Sequence, residues 1–132
     1  METKVEVKLS GEDRFEVTTL TNEVRFYVDK KKENYTPQGP NPLELFLSSL
    51  GSCVGVYALR YLNNHAITFE ELTVKVKAEF SEAAPARLIN IQVSVFTDAD
   101  ILDKREVFLR FIRNCPIHNT ILHSKEIDIT LS

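Results

Sequence analysis

The longest helical pattern in the chain is LELFLSSLGSCVGVYALRYLN, residues 43–63. Apolar side chains recur at helical spacing on one face, and further apolar groups occupy a second face. A helix that is apolar nearly all round is buried on several sides in a small protein. Because a chain of 132 residues has little material to cover it, we expect a partner chain to contribute. Pro42 suits the first turn of this helix, and Asn41 its cap.

Small residues interrupt the middle of this helix. Gly51, Ser52 and Gly55 each lower the helix propensity, by up to ~1 kcal/mol for a glycine. Their expected use is the close approach of another helix or of a ligand.

Secondary-structure patterns on either side of the helix predict an α+β fold with the order βββ-α-ββ-αα-β. Alternating segments predict strands, and Pro116 ends the first of two C-terminal helices and begins the second. Predicted strands cover residues 5–9, 15–17, 24–28, 72–80, 89–95 and 127–131, and the two shorter helices cover residues 107–115 and 116–123.

The composition is that of one soluble globular domain, residues 1–132, with 43% hydrophobic and 27% charged residues. The net charge is −3, and the longest basic run, residues 30–32, suits a loop. We therefore expect no nucleic-acid partner.

The location of the protein is indicated by two absences. Residues 1–9 lack the pattern of a secretory signal, and the longest uncharged stretch, Leu45–Leu59, has 15 residues against the ~18–20 that a membrane span needs. A cytoplasmic protein without a membrane partner is expected. In that reducing compartment, the two cysteines are not expected to form a permanent disulfide.

Cys115 directly precedes Pro116, and the pair allows two interpretations. If Pro116 is the first residue of a helix, Cys115 is its N-cap, and the helix dipole favours its thiolate. Alternatively, Cys115 completes the apolar face of the preceding helix and is inert.

Cys53 lies in the middle of the long helix and also allows two interpretations. It is either a small hydrophobic residue between two glycines or a thiol activated by a nearby cation, such as an arginine from a strand. Glu44 lies nine positions earlier, about 13.5 Å along the axis and half a revolution away. If the two share a site, the carboxylate comes from a partner helix. Otherwise Glu44 complements the helix dipole.

Metal binding is the third possibility for these side chains. Cys115, His118 and His123 are close in sequence, but the histidines are five apart and a fourth ligand is not evident. We expect no bound metal.

The segment from Pro42 to Cys53 with the later Cys115-Pro116-Ile117 resembles the OsmC/Ohr superfamily of osmotically inducible and organic-hydroperoxide-resistance proteins. The likeness covers nearly the whole chain, including Ala84-Pro85-Ala86-Arg87 before a long strand. It implies an intertwined homodimer in which central helices are wrapped by antiparallel sheets, with sites at the interface.

The resemblance also implies a thiol peroxidase that reduces organic hydroperoxides. Cys53 corresponds to the attacking thiol and Cys115 to the thiol that resolves its sulfenic acid as a disulfide. Glu44 is the candidate for the family's glutamate and Arg14 for its arginine, with Arg25 second. An external dithiol, a lipoyl group in the well-studied branch, restores the thiols, and no cofactor is bound.

Two details differ from the hydroperoxide-resistance branch. Its glutamate stands ten positions before the cysteine, a place that Leu43 holds here, so the spacing resembles the broader OsmC-like branch. Its glycine-flanked arginine is poorly matched by Glu12-Asp13-Arg14.

Two other functions stay open. One is a non-catalytic dimer that binds a small apolar or thiol-reactive molecule. The other is a metal-dependent module built on Cys115, His118 and His123. For the peroxidase, an apolar pocket with Phe46, Leu50 and aromatic side chains of a partner would favour an alkyl tail.

Overall fold

The computed structural model describes residues 2–29, 36–124 and 126–132. The chain has the predicted α+β composition and forms two compact units, Met1–Phe46 and Leu47–Ser132. The prediction of a single domain stays a prediction. The loop expected at residues 30–32 lies outside the described residues.

The first unit contains an antiparallel meander of three strands, β1 (Val5–Leu9), β2 (Arg14–Thr19) and β3 (Arg25–Asp29). Val7 pairs with Val17, and Val17 pairs with Phe26, so their side chains share one apolar face. The inner part of this face is buried at Val17, whereas the apolar side chains of β1 are 55–58% exposed. The predicted meander is confirmed.

The long helix, α1 (Pro42–Asn64), begins with a reciprocal cap. The Glu44 backbone N–H donates to Asn41 Oδ1 at 2.8 Å, and the Asn41 N–H donates to Glu44 Oε1 at 3.1 Å. This capping box satisfies two of the free amides at the helix start. The roles predicted for Asn41 and Pro42 are confirmed.

The second unit contains most of α1, a two-stranded antiparallel sheet and two short helices. The strands are β4 (Leu72–Phe80) and β5 (Leu88–Thr97). After a single 3-10 turn, the chain forms α2 (Arg105–Ile112) and α3 (Pro116–His123). The core joins α1 to α2 and to the turn before α3, and its buried residues are Leu50, Val54, Ala58, Tyr61, Leu62, Phe108, Ile112 and Cys115.

Gly51 lets the sheet approach α1 closely. A Cβ atom at this position would lie 2.9 Å from Val76 Cγ2, whereas one at Gly55 would lie 3.6 Å from Val74 Cγ2, an ordinary contact. The chain does approach closely at Gly51, but the neighbour there is strand β4, whereas another helix or a ligand was expected.

The prediction of a strand at residues 127–131 is wrong for the part of the chain that the structure describes. Residues 126–132 have no regular structure and pair with none of the five described strands. Ile127, Ile129 and Leu131 are 84–99% exposed. The alternating pattern is present, but a strand forms only where a sheet edge satisfies its backbone groups.

Helix α1 is long and apolar enough to cross a membrane, judged by length and composition alone, with a mean hydropathy of 1.4 over its most apolar window. The core helix of a soluble protein passes the same test. Glu44 and Arg60 bound the uncharged stretch that the sequence shows.

Candidate functional site

Cys115 is the N-cap of α3, as one of its two interpretations predicted. Its Sγ atom accepts a hydrogen bond from the His118 backbone N–H at 3.5 Å, and Pro116 is the first helical residue. The side chain is also fully buried in the core with Phe108 and Ile112. Both interpretations therefore describe part of its environment.

Cys53 is half-buried in the fourth turn of α1 and packs against the same core. Its thiol lies close enough to the thiol of Cys115 and to the backbone N–H of Ile117 for both groups to shift its pKa. Two thiols that are 62 positions apart in the sequence thus come close together at the N-terminus of α3. No disulfide joins the two cysteines in this structure.

The surroundings of Cys53 favour the neutral thiol. Burial raises the pKa of Cys53 above its ordinary value, and the nearby Cys115 thiol raises it further. The Ile117 N–H and the positive charge of Arg60 act in the opposite direction and lower the pKa. Chemistry at Cys53 requires the thiolate. Its formation therefore depends on the Ile117 N–H and on the charge of Arg60.

Arg60 is a charged residue near Cys53 that the sequence analysis did not consider. It follows Cys53 by seven positions, so both lie on one face of α1. Its exposed guanidinium lies over the ring of Tyr57, 4.7 Å from the centroid. The helical spacing was the signal that could have identified it, but an arginine from a strand was expected instead.

Arg14, the predicted activating arginine, forms an ion pair within the first unit. Its Nε donates to Asp29 Oδ1 at 2.7 Å, and its guanidinium lies 5.2 Å from the ring centroid of Tyr27. The hydrogen bond from Arg14 holds the pKa of the Asp29 carboxyl below its usual range, helped by the N–H of Gln38. Arg25 is exposed at the start of β3. The role of either arginine at a thiol stays a prediction.

Glu44 occupies the capping box in the first turn of α1. That position fits the interpretation in which its charge complements the helix dipole. Within one chain, the helix keeps Glu44 about 13.5 Å along the axis from Cys53. A role for Glu44 at the thiol of a partner stays a prediction.

The cluster considered for a metal is not assembled in the described part of the chain. There, no group of three or more His, Cys, Asp or Glu side chains is placed to hold an ion. His118 Nδ1 lies 3.0 Å from the backbone oxygen of Arg113, and Cys115 is engaged as the cap.

An apolar groove of about 1150 Å³ lies in the second unit between α1, β5, α2 and α3. Leu50, expected in a substrate pocket, lines it together with Val54, Phe108 and Ile91. Neither Cys53 nor Cys115 is among its lining residues. The groove and the thiol pair are therefore separate features of the same unit.

The fold and the site together define an α+β protein with a pair of neighbouring thiols at a helix N-terminus. Residues 33–132 match the family model described as OsmC-like protein, and the chain therefore belongs to the OsmC-like family. No curated protein matches the sequence.

Solved structures share this fold. An OsmC-like protein from Mycoplasma pneumoniae has a TM-score of 0.80 and 19% identity, covering 94% of this chain and 89% of its own. An OsmC-like protein of unknown function from Vibrio cholerae has a TM-score of 0.70 and 13% identity, with coverages of 91% and 93%. An organic hydroperoxide resistance protein from Elizabethkingia anophelis has a TM-score of 0.66 and 16% identity, with coverages of 94% and 90%.

Proposed function

We propose that this protein is a cytoplasmic thiol peroxidase that reduces organic hydroperoxides in a stress response. The proximity of the thiols of Cys53 and Cys115 is the observation that carries the proposal. Membership of the OsmC-like family supports it, and so does the shared fold of an organic hydroperoxide resistance protein.

In the first step, the Cys53 thiolate attacks the terminal oxygen of the hydroperoxide, and the O–O bond breaks. The alkoxide leaves and takes a proton to become the alcohol, while Cys53 becomes a sulfenic acid. The Ile117 N–H lies near Cys53 and lowers the pKa of its thiol, so it stabilises negative charge on the sulfur before the attack.

In the second step, Cys115 attacks the Cys53 sulfur and water leaves, which forms a disulfide. The two thiols are already close to each other, so this step needs little rearrangement of the chain. An external dithiol, for which a lipoyl group is the candidate, reduces the disulfide and is itself oxidised. The sum is one hydroperoxide and one dithiol converted into alcohol, water and a disulfide.

A homodimer is part of the proposal. The apolar side chains of β1 are 55–58% exposed, and only 17% of the most apolar window of α1 is buried within one chain. Apolar surface of this kind is covered by a second copy in dimers. In such a dimer, Glu44 and Arg14 of the partner chain are the candidates to reach Cys53.

The test is the consumption of cumene hydroperoxide and hydrogen peroxide with a lipoyl dithiol. Wild type, Cys53→Ser and Cys115→Ser are compared. We expect a preference for the organic peroxide and no turnover in Cys53→Ser. Loss of turnover in Cys115→Ser alone would reverse the two roles. No turnover of the wild type with a lipoyl or generic dithiol would contradict the peroxidase.

A non-catalytic protein that binds a small apolar molecule is the second candidate. The groove of about 1150 Å³ favours it, because its lining is largely apolar and excludes both cysteines. Titration with an apolar fluorescent probe distinguishes the two. Binding that Leu50→Gln weakens, in a wild type without turnover, would favour the binding protein.

A further inference from the structure

Three residues occupy one face of α1 near the thiol pair. Tyr57 and Arg60 follow Cys53 by four and seven positions, which places all three in line along the helix. Side chains on a helix lean toward its N-terminus, so Arg60 reaches back over the turn that contains Tyr57. The 4.7 Å between its guanidinium carbon and the Tyr57 ring centroid shows this direction.

The ring of Tyr57 holds the Arg60 side chain in place. The ring of Tyr57 lies 5.8 Å from the ring of Phe111, which belongs to α2 and packs against the core. A guanidinium stacked on an aromatic face is attracted by the ring quadrupole. Arg60 is therefore held on the side of the helix that carries Cys53 although its side chain is exposed.

We propose that Arg60 is the positioning residue whose positive charge favours the thiolate of Cys53. The inference rests on the proposed function only in taking Cys53 as the attacking thiol. It assigns to a residue of the same helix a role that the family resemblance gives to Arg14. Arg14 forms an ion pair with Asp29, and a role of Arg14 at the thiol is a separate prediction that needs its own test.

The distance sets the size of the expected effect. Cys53 and Arg60 are about 10.5 Å apart along the axis, and the backward lean of Arg60 shortens the separation of charge and sulfur. One exposed charge at such a distance acts through water and is screened by salt. Its removal should lower the thiolate fraction of Cys53 at neutral pH about two- to threefold.

The experiment measures the alkylation rate of Cys53 between pH 6 and 10 in a Cys115→Ser background. Iodoacetamide is the reagent because it is uncharged, so Arg60 does not attract it. Arg60→Gln removes the charge, and Arg60→Lys keeps it. Arg60→Met removes the charge but keeps an apolar stem over Tyr57, which guards against a change in packing.

The expected result is a two- to threefold slower reaction at pH 7 in Arg60→Gln and Arg60→Met, with the pH profile moved upward. Arg60→Lys should restore most of the rate, and 1 M salt should remove the difference. Arg87→Gln is the matched control, because the Arg87 guanidinium donates to the Pro85 backbone oxygen in the β4–β5 loop.

Unchanged profiles in Arg60→Gln and Arg60→Met would overturn the proposal. A slower reaction that Arg60→Lys does not restore would also overturn it, because packing and not charge would then be the cause. Alkylation needs no peroxide and no dithiol. Absence of peroxidase turnover therefore contradicts the proposed function and leaves the alkylation result to decide the role of Arg60.

Discussion

The thiols of Cys53 and Cys115 lie close to each other at the N-terminus of α3. Cys53 comes from the long helix of the second unit, whereas Cys115 caps the last helix of that unit. The Cys115 sulfur accepts a hydrogen bond from the His118 N–H at 3.5 Å, and the nearby Ile117 N–H lowers the pKa of the Cys53 thiol. The two thiols therefore share one set of helix-terminal donors, an arrangement suited to forming and breaking a bond between them.

Disulfide formation should follow directly from this proximity. With less than one equivalent of cumene hydroperoxide, we expect an intramolecular Cys53–Cys115 disulfide, detected as paired loss of free thiols and by peptide mass after non-reducing digestion. In Cys115→Ser, the sulfenic acid of Cys53 should instead persist and react with dimedone. Mainly intermolecular disulfides in the wild type would contradict the expectation.

The stability of the reduced protein should fall at alkaline pH because of Cys53. Burial and the Cys115 thiol raise the pKa of Cys53 above its ordinary value of 9.0, so the folded chain keeps a proton that the unfolded chain loses. The stabilisation is complete below about pH 9 and is lost as the pH rises toward the folded-state pKa. The Tm of the wild type should therefore fall more between pH 8 and 10 than that of Cys53→Ser. Parallel curves for the two proteins would refute this linkage.

Two glycines of α1 should respond differently to alanine. Gly51→Ala places a methyl group 2.9 Å from Val76 Cγ2, a stiff β-branched side chain, and we expect a loss of about 1–3 kcal/mol. Gly55→Ala meets Val74 at 3.6 Å and should gain up to about 1 kcal/mol from helix propensity. Urea denaturation of both variants measures the difference. Equal stability would show that β4 moves away at little cost.

Glu44 offers a test that separates capping from chemistry. Glu44→Gln keeps a side chain that completes a capping box, so the free energy of unfolding should change little. Asn41→Ala should cost about 1 kcal/mol, because it removes the acceptor for the Glu44 N–H. If the carboxylate of a partner serves Cys53, Glu44→Gln should lower peroxide turnover while Asn41→Ala does not. Normal turnover in Glu44→Gln would leave Glu44 with the cap alone.

Local features were predictable because their causes lie within a few residues of each other. Asn41, Pro42 and Glu44 specify the start of α1 by hydrogen bonds across one turn. Cys115 before Pro116 specifies an N-cap in the same way. The meander and the β4–β5 hairpin follow from segments in which apolar and polar residues alternate and which short connections join.

Features that depend on a neighbour elsewhere in the chain were not predictable from pattern. The segment at residues 127–131 alternates like a strand, but pairing requires an edge, and alternation does not supply one. The neighbour of Gly51 is a strand, and no local signal distinguishes a strand from a helix there.

The sequence by itself determined the α+β order as far as α3, the capped long helix and the position of Cys53 within it, and it left two interpretations open for Cys115. Only the tertiary structure decided that the two thiols lie close together, because proximity across 62 positions depends on how α1, α2 and α3 pack. It also decided that Arg60 stacks on Tyr57 in the helix that carries Cys53, while Arg14 pairs with Asp29. Charge acts through space, and the distances between side chains are set by packing and not by spacing in the sequence.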